Sequence, residues 1–455
     1  MMIRTMRSGV HFCGYYLRSF LGWRHRPGDW RKLQEERLRI MVREAYENVP
    51  LYRRAYDRAG IDPREIRTLD DLARLPLIGK DDLKNGFPQD ILSWKADPDK
   101  CLVVSTSGSS GAPVRVFRDR RLFGLAPIPF LIGLWATPRF MKRWAGPKLN
   151  RRITIIAAAD ESYDIYLLYR QLRRWPRFLS KNLQYLDTAA DPAQLLENLQ
   201  AHRPDIVAAD PMVLRNIAAT AKSLGRSLPA IKLIILGGAF LGDNARAELQ
   251  EAFAGSISEH YGAMEAGTIA FECPDHHGLH PLWPSVILET VRDGVAVEGV
   301  AGEIVVTNLW NAVTPVIRYA GLGDAAVIYP GPCPCGSPAP RLKLIDGRQV
   351  DSLLLPDGRW IHPFRLTLAL EHIPRLDRFQ ITQETPDRVR VRVIIRKSGA
   401  AGEEPIPETV RRNLGAILGK NIRVRVDVVD DIPRLKGSRS NPSPVRSLLA
   451  SRPRG

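Results

Sequence analysis

The chain has 455 residues, 44% of them hydrophobic, enough to bury a substantial core in at least two domains and to exclude a wholly disordered chain. Lysine and arginine outnumber aspartate and glutamate 66 to 49, and the excess of +17 is partly an end effect, since residues 432–455 carry six basic side chains and no acid. No apolar run approaches the roughly 18 residues of a membrane span, no signal-peptide pattern opens the chain, and the five scattered cysteines exclude a disulfide framework, so a soluble cytoplasmic protein is expected.

Near the N-terminus, basic residues interleave with Tyr15, Tyr16, Phe20, Trp23 and Trp30, a composition that suits either a packed helix or a weak contact with a membrane surface. Apolar residues at 38, 41, 42, 45, 46 and 49 then fall at helical spacing, and Pro50 ends the pattern. Residues 104–113, V-S-T-S-G-S-S-G-A-P, set Gly108 and Gly111 among the hydroxyls of Ser105, Thr106, Ser107, Ser109 and Ser110. Such a loop is either a flexible connector or a polyphosphate cradle, in which glycines let backbone N–H groups approach an anion. Beyond it, residues 153–159, 205–209 and 231–236 read as strands and residues 192–202 and 243–253 as amphipathic helices, an α/β alternation. Closely spaced strands at 286–291, 303–308 and 325–329 predict a β-rich subdomain. Runs at 388–395 and 422–429 alternate sides and bracket a helical stretch at 408–418, which predicts a small α+β domain. The expected division is a large domain over 1–345, a small one over 346–437, and a disordered basic tail over 438–455.

Five segments follow one another in order: residues 105–113; Gly237-Gly238-Ala239; Tyr261-Gly262-Ala263-Met264-Glu265; Arg318-Tyr319-Ala320-Gly321-Leu322-Gly323-Asp324; and Ile345-Asp346-Gly347-Arg348. Together with Asn48-Val49-Pro50-Leu51-Tyr52-Arg53 and residues 69–80, they resemble the adenylate-forming ligase superfamily, most closely its phenylacetate–CoA ligase and capsular-polysaccharide-biosynthesis branch, over residues 48–437. The resemblance implies a large α/β ATP- and carboxylate-binding domain and a small mobile C-terminal domain. It also implies ATP-dependent conversion of a carboxylate to an acyl-adenylate, then transfer to CoA or another acceptor.

Carried over residue by residue, the resemblance assigns the phosphates to Ser105, Thr106, Ser107, Gly108, Ser109, Ser110 and Gly111, and the adenine to Gly237, Gly238, Ala239, Tyr261 and Gly262. Glu265 would hold Mg²⁺ against the phosphates, Asp324 would accept both ribose hydroxyls, and Arg348 would reach ribose or phosphate. Residues 205–215 and 259–268 would line the acyl pocket, with Met212 and Met264 shaping it. Four positions depart from the family pattern: Ala112 where a lysine is common, Met264 where a threonine would donate, Val350 where an acid is usual, and Ser438 where the catalytic lysine belongs. Lys436, two residues before Ser438, is the expected substitute cation, with Arg439 its competitor. These departures leave a second reading, a degenerate member that binds nucleotide or acyl ligand without efficient adenylation.

Cys273, His276, His277, His280, Cys333 and Cys335 gather in two short segments, and tetrahedral zinc takes Cys and His at such spacings. The family branch carries a similar Cys-Pro-Cys-Gly, and Cys273, His280, Cys333 and Cys335 are the expected ligands of a structural ion. The expected partners are thus a carboxylate, ATP, Mg²⁺ and CoA or another acyl acceptor, with a homodimer and a weak membrane-surface contact as further associations. Nucleic acid is set aside, because it accounts for the charge but not for the motif series.

Overall fold

A computed structural model describes residue 14 and residues 29–106, 113–125, 151–238 (except 162, 175 and 176), 241, 243–345 (except 274, 293, 338 and 339), 353–357, 360, 361, 366, 369, 370, 373–395, 405–419, 421–432 and 445–447. Helix α1 (Asp29–Asn48) carries the predicted apolar stripe. Pro50 ends it and opens α2 (Pro50–Ala59), occupying the first helical position, where its missing N–H costs nothing. Tyr52 on α2 is fully buried, and its hydroxyl donates to the Pro315 carbonyl at 3.0 Å and accepts from the Ile317 N–H at 2.8 Å.

Strands β1 (Cys101–Ser105) and β2 (Arg115–Asp119) form an antiparallel hairpin around the Ser/Gly loop. The hairpin closes at Thr106, whose N–H donates to the Val114 carbonyl and whose hydroxyl accepts from the Val114 N–H, both at 2.9 Å. A twelve-stranded sheet forms the body of the large domain. Its parallel part runs in the order β4 (Leu183–Asp187), β3 (Ile153–Ala157), β5 (Ile206–Ala209), β6 (Leu233–Leu236) and β7 (Ser256–Ala263). Helix α3 (Asp164–Leu172) follows β3. Three more helices, α4 (Pro192–His202), α5 (Pro211–Ser223) and α6 (Asp243–Phe253), bury Leu199, Ile217 and Leu249 against Ile234 and Val207 of the sheet. Asp191 and Asp210 cap α4 and α5, each followed by proline at the first turn, which is why these starts are readable in the sequence.

The β-rich run does not form a sheet of its own. β8 (Gly267–Glu272), β9 (Leu279–Pro281), β14 (Arg341–Ile345), β13 (Ala325–Tyr329), β12 (Ala301–Asn308), β10 (Val286–Arg292) and β11 (Val295–Val297) continue the same sheet in that spatial order. The junction is β7, which changes partners midway: residues 256–259 pair with β6 in parallel, and residues 260–263 pair with β8 in antiparallel. β7 is twice the length of β6, eight residues against four, so its second half runs past the parallel layer and is open to a new neighbour.

In the C-terminal part, β15 (Leu353–Leu354), β16 (Trp360–Ile361), β17 (Leu376–Thr385), β18 (Arg388–Ile395), α7 (Ile406–Leu418) and β19 (Arg423–Val428) enclose a separate core. Val389, Val391 and Val393 point into it while the intervening arginines point away. The basic tail expected to be disordered contributes a strand, β20 (Val445–Ser447), parallel to β17. The reason is the open edge of β17, whose backbone groups at Ile381, Thr382 and Gln383 take up the added strand. The expected junction at Asp346-Gly347-Arg348 lies outside the described residues. Among the described residues, no helix is long and apolar enough to cross a membrane.

Candidate active site

Three of the sequence motifs, at 237–238, 261–265 and 318–324, meet by the C-terminal ends of the parallel strands, where α/β sheets open a crevice. Gly237 and Gly238 follow β6, and Gly238 has φ +86°, a conformation that favours glycine. A Cβ on Gly237 would lie 3.0 Å from the His260 carbonyl and 3.2 Å from His260 Nδ1, so the diglycine turn packs directly on β7. His260 is half-buried there, and desolvation lowers its pKa to about 4, so the ring is neutral at pH 7. Its Nε2 lies 3.2 Å from the Thr268 hydroxyl on β8, and its ring packs on Phe271 with centroids 5.1 Å apart.

Tyr261, Gly262 and Ala263 end β7, and Met264, Glu265 and Ala266 turn the chain into β8. The Tyr261 hydroxyl donates to Asp324 Oδ2 at 2.9 Å. In the opposite direction, the Tyr319 hydroxyl donates to Glu265 Oε1 at 3.0 Å, with both side chains buried. The Tyr-Gly-Ala-Met-Glu and Arg-Tyr-Ala-Gly-Leu-Gly-Asp segments are therefore cross-tied, each lending a phenol to the other's carboxylate. Sequence reasoning reached Tyr261, Glu265 and Asp324 but not Tyr319, although its place after Arg318 in the motif was a usable signal.

Arg318 itself is structural. It sits at φ +47°, is buried, and makes a two-pronged pair with Glu289 at 3.1 and 3.0 Å while donating to the carbonyls of Ala73 and Leu75. Those contacts bind residues 69–80 to the Tyr319 segment, where the Ile78 N–H donates to the Arg318 carbonyl at 3.0 Å.

Of the predicted phosphate loop, Ser105 and Thr106 are described and form its base, whereas Ser107, Gly108, Ser109, Ser110, Gly111 and Ala112 lie outside the described residues, as do Ala239, Arg348, Val350, Lys436, Ser438 and Arg439. Met264 is half-buried in the β7–β8 turn. Met212 opens α5, its N–H capped by Asp210 and its sulfur accepting from Arg215 Nη1 at 3.3 Å. The two methionines thus stand on different elements of the crevice.

Cys273, His280, Cys333 and Cys335 are all buried, and one donor atom from each lies within 4.8 Å of the others. Cys273 Sγ and Cys333 Sγ are 3.7 Å apart, against about 3.8 Å for the edge of a tetrahedron with zinc–sulfur bonds of roughly 2.3 Å. His280 Nε2 lies 3.3 Å from Cys335 Sγ, and the Asp275 N–H donates to Cys273 Sγ at 3.4 Å, as it would to a thiolate. The donor set fits zinc. Of the remaining histidines of the cluster, His276 pairs instead with Glu272 at 2.7 Å, and His277 is exposed.

The cross-tie needs Gly321. A Cβ there would come within 2.3 Å of the Tyr319 hydroxyl and ring, a distance no packing tolerates. Gly321→Ala is expected to displace the ring, break its bond to Glu265, and lower stability by about 1–3 kcal/mol. Urea unfolding of the variant beside the wild type checks this, and an unchanged midpoint contradicts it.

An AMP-binding enzyme family model matches residues 183–312, which span β4 to the segment after β12. The chain is 26% identical over 357 residues to a phenylacetate–coenzyme A ligase from Thermus thermophilus, covering 76% of each chain. To the phenylacetate–coenzyme A ligase of Escherichia coli it is 23% identical over 446 residues, 92% of this chain and 95% of that one. Among solved structures, a 2-hydroxyisobutyryl-CoA ligase in its postadenylation state shares the fold with a TM-score of 0.71, at 20% identity over 88% of this chain and 86% of the other. The order of the motifs, the cross-tied turns and these likenesses all support the adenylate-forming ligase superfamily and, within it, the phenylacetate–CoA ligase-like branch.

Proposed function

We propose that this protein activates a carboxylate with ATP to an acyl-adenylate and passes the acyl group to CoA. The observation that carries the reading is the cross-tie, which holds the carboxylates of Glu265 and Asp324 on two adjoining turns at the strand ends. Asp324 accepts a hydrogen bond from Tyr261, and a carboxylate, with about four lone-pair sites, is the group suited to accept from both ribose hydroxyls. Tyr261 offers its ring to adenine beside the Gly237-Gly238 turn. Glu265 is the residue to hold Mg²⁺, whose charge would offset that of the phosphates.

In the reaction, a carboxylate oxygen attacks the α-phosphate, the bond to the bridging oxygen breaks, and pyrophosphate leaves. The hydroxyls and N–H groups of the Ser/Gly loop stabilise the charge that spreads over the phosphates. ATP–pyrophosphate exchange over a panel of aryl and aliphatic carboxylates tests the reading directly. Asp324→Ala removes two charge-assisted hydrogen bonds of about 1.5–3 kcal/mol each and is expected to weaken ATP binding at least about tenfold. Calorimetry on the folded variant that shows unchanged affinity refutes the ribose assignment.

Zinc at Cys273, His280, Cys333 and Cys335 completes the reading as a structural ion that ties the end of β8 to the segment after β13. Protein purified without added zinc is expected to carry it at near-stoichiometric amounts, and metal analysis that finds none sinks this assignment. The cytoplasmic setting rests on the sparse cysteines of the sequence, and homodimerisation and membrane-surface contact rest on sequence alone.

The second reading, nucleotide binding with slow adenylation, is favoured by one specific feature: Ser438 stands where a lysine would neutralise charge during adenylation. A misplaced ammonium loses much of its effect, since positioned charge is commonly worth about a hundredfold in rate. Lys436 is the proposed substitute. Pyrophosphate release is expected to fall in Lys436→Ala and hold in Arg439→Ala; the reverse moves the role to Arg439, and indifference to both removes it from either.

A further inference from the structure

Arg118 belongs to none of the family segments, yet it reaches the turn that bears Glu265 from β2, the strand that follows the Ser/Gly loop. Only 9% of its surface is exposed, and its Nη2 donates to the Met264 carbonyl at 2.8 Å. Met264 and Glu265 are the central residues of a tight turn, closed where the Ala266 N–H donates to the Ala263 carbonyl at 3.2 Å. Met264 lies beyond the last pair of the β7–β8 ladder, Ala263 with Gly267, so the ladder gives its carbonyl no partner. Arg118 supplies one. The peptide it holds is the one whose rotation separates the β-turn classes, and its plane sets φ at Glu265.

The far side of the turn is held by a different segment. Asn308 is buried, and its Nδ2 donates to the Ala266 carbonyl at 2.7 Å while its Oδ1 accepts from the Trp310 and Asn311 N–H groups, both at 2.8 Å. Asn311 Nδ2 in turn donates to the Phe117 carbonyl at 2.9 Å, and the Phe117 N–H donates to the Thr314 hydroxyl at 3.1 Å. A closed ring of hydrogen bonds therefore runs from Phe117 through Asn311, Asn308 and the turn back to Arg118, and Glu265 lies within it. Arg118 is its one charged link. Its Nε is buried with no hydrogen-bond partner among the described residues, a cost that a neutral donor at this position would avoid.

We propose that Arg118 is a positioning residue for ATP with its metal: by holding the peptide before Glu265 it fixes the carboxylate that is to meet Mg²⁺, and it ties that carboxylate to the strand leaving the phosphate loop. The proposal rests on the assignment of Mg²⁺ to Glu265 above. Without Arg118 the Met264 carbonyl loses its partner, and the turn is free to reorganise around Glu265. Misplacement by about 1 Å is enough to cost a functional group much of its effect. The bonds of Tyr261 and Asp324 do not pass through this peptide, so contacts to adenine and ribose stay as they are.

Calorimetry of ATP binding to the full chain, in EDTA and in excess Mg²⁺, tests this without relying on turnover. In the wild type, Mg²⁺ is expected to strengthen ATP binding about tenfold or more, and Glu265→Gln to remove most of that gain. Arg118→Met is expected to bring the gain to within about threefold of that in Glu265→Gln, with metal-free affinity within about twofold of the wild type. In the double variant the two losses do not add, because both act through one carboxylate. Arg118→Lys keeps a donor for the carbonyl and is expected to recover most of the gain. A merely structural brace would weaken metal-free and Mg²⁺-bound ATP alike. That result, or a full gain in Arg118→Met where Glu265→Gln has lost it, overturns the proposal and leaves Glu265 its metal. Should Arg118→Met bind no metal-free ATP, Arg118→Gln takes its place under the same expectation, and loss in both assigns Arg118 to the fold and overturns the proposal. A Mg²⁺ gain that is absent in the wild type, or that survives Glu265→Gln, overturns the metal assignment and the proposal together.

Discussion

Two phenol–carboxylate hydrogen bonds, Tyr261 to Asp324 and Tyr319 to Glu265, determine how the large domain presents its crevice. They run in opposite directions between the same two segments, so neither turn can move without straining both. A buried carboxylate is costly unless hydrogen-bonded, and each tyrosine supplies an O–H without adding charge. Glu265 is thereby kept in place by a neutral donor. The arrangement depends on small residues at two places: Gly321, over which the Tyr319 ring folds, and Gly262, where a Cβ would lie 3.0 Å from the Gly267 carbonyl.

Around this pair the fold is layered outward. Arg318, locked to Glu289 and to the carbonyls of Ala73 and Leu75, fixes the backbone that bears Tyr319. On the other side, Glu272 at the end of β8 accepts from the Glu259 N–H at 2.8 Å and from Arg246 at 2.8 Å, just before Cys273. The Cys/His cluster and the turn that bears Glu265 therefore lie at opposite ends of one hairpin, and holding its base restricts its tip.

Much of this was legible in the sequence. The caps Asp191-Pro192 and Asp210-Pro211 and the alternation of valine and arginine in β18 leave local signatures, and the elements lie where those signatures put them. The order of the glycine, tyrosine and acid motifs singled out Glu265, Asp324 and Tyr261, which the fold brings into two adjoining turns. What was not legible depends on tertiary contact. Arg118 reads locally as an ordinary β-ribbon arginine, and its burial follows from strand pairing and the close approach of Gly267. His260 reads as a polar strand residue, but the Gly237 turn closes over it. The continuity of the sheet through β7 escaped notice because partner exchange within one strand leaves no periodicity to read.

The hydrogen bonds of Tyr52 reach across 263 and 265 residues of sequence, to Pro315 and Ile317. At synthesis rates of roughly 5–20 residues per second, the N-terminal helices leave the ribosome about 13–50 seconds before the segment that completes their packing exists. Throughout that interval Tyr52, one of the largest fully buried side chains of the finished molecule, lacks both partners of its hydroxyl. Biosynthesis therefore leaves this contact to close late, after most of the large domain has been made.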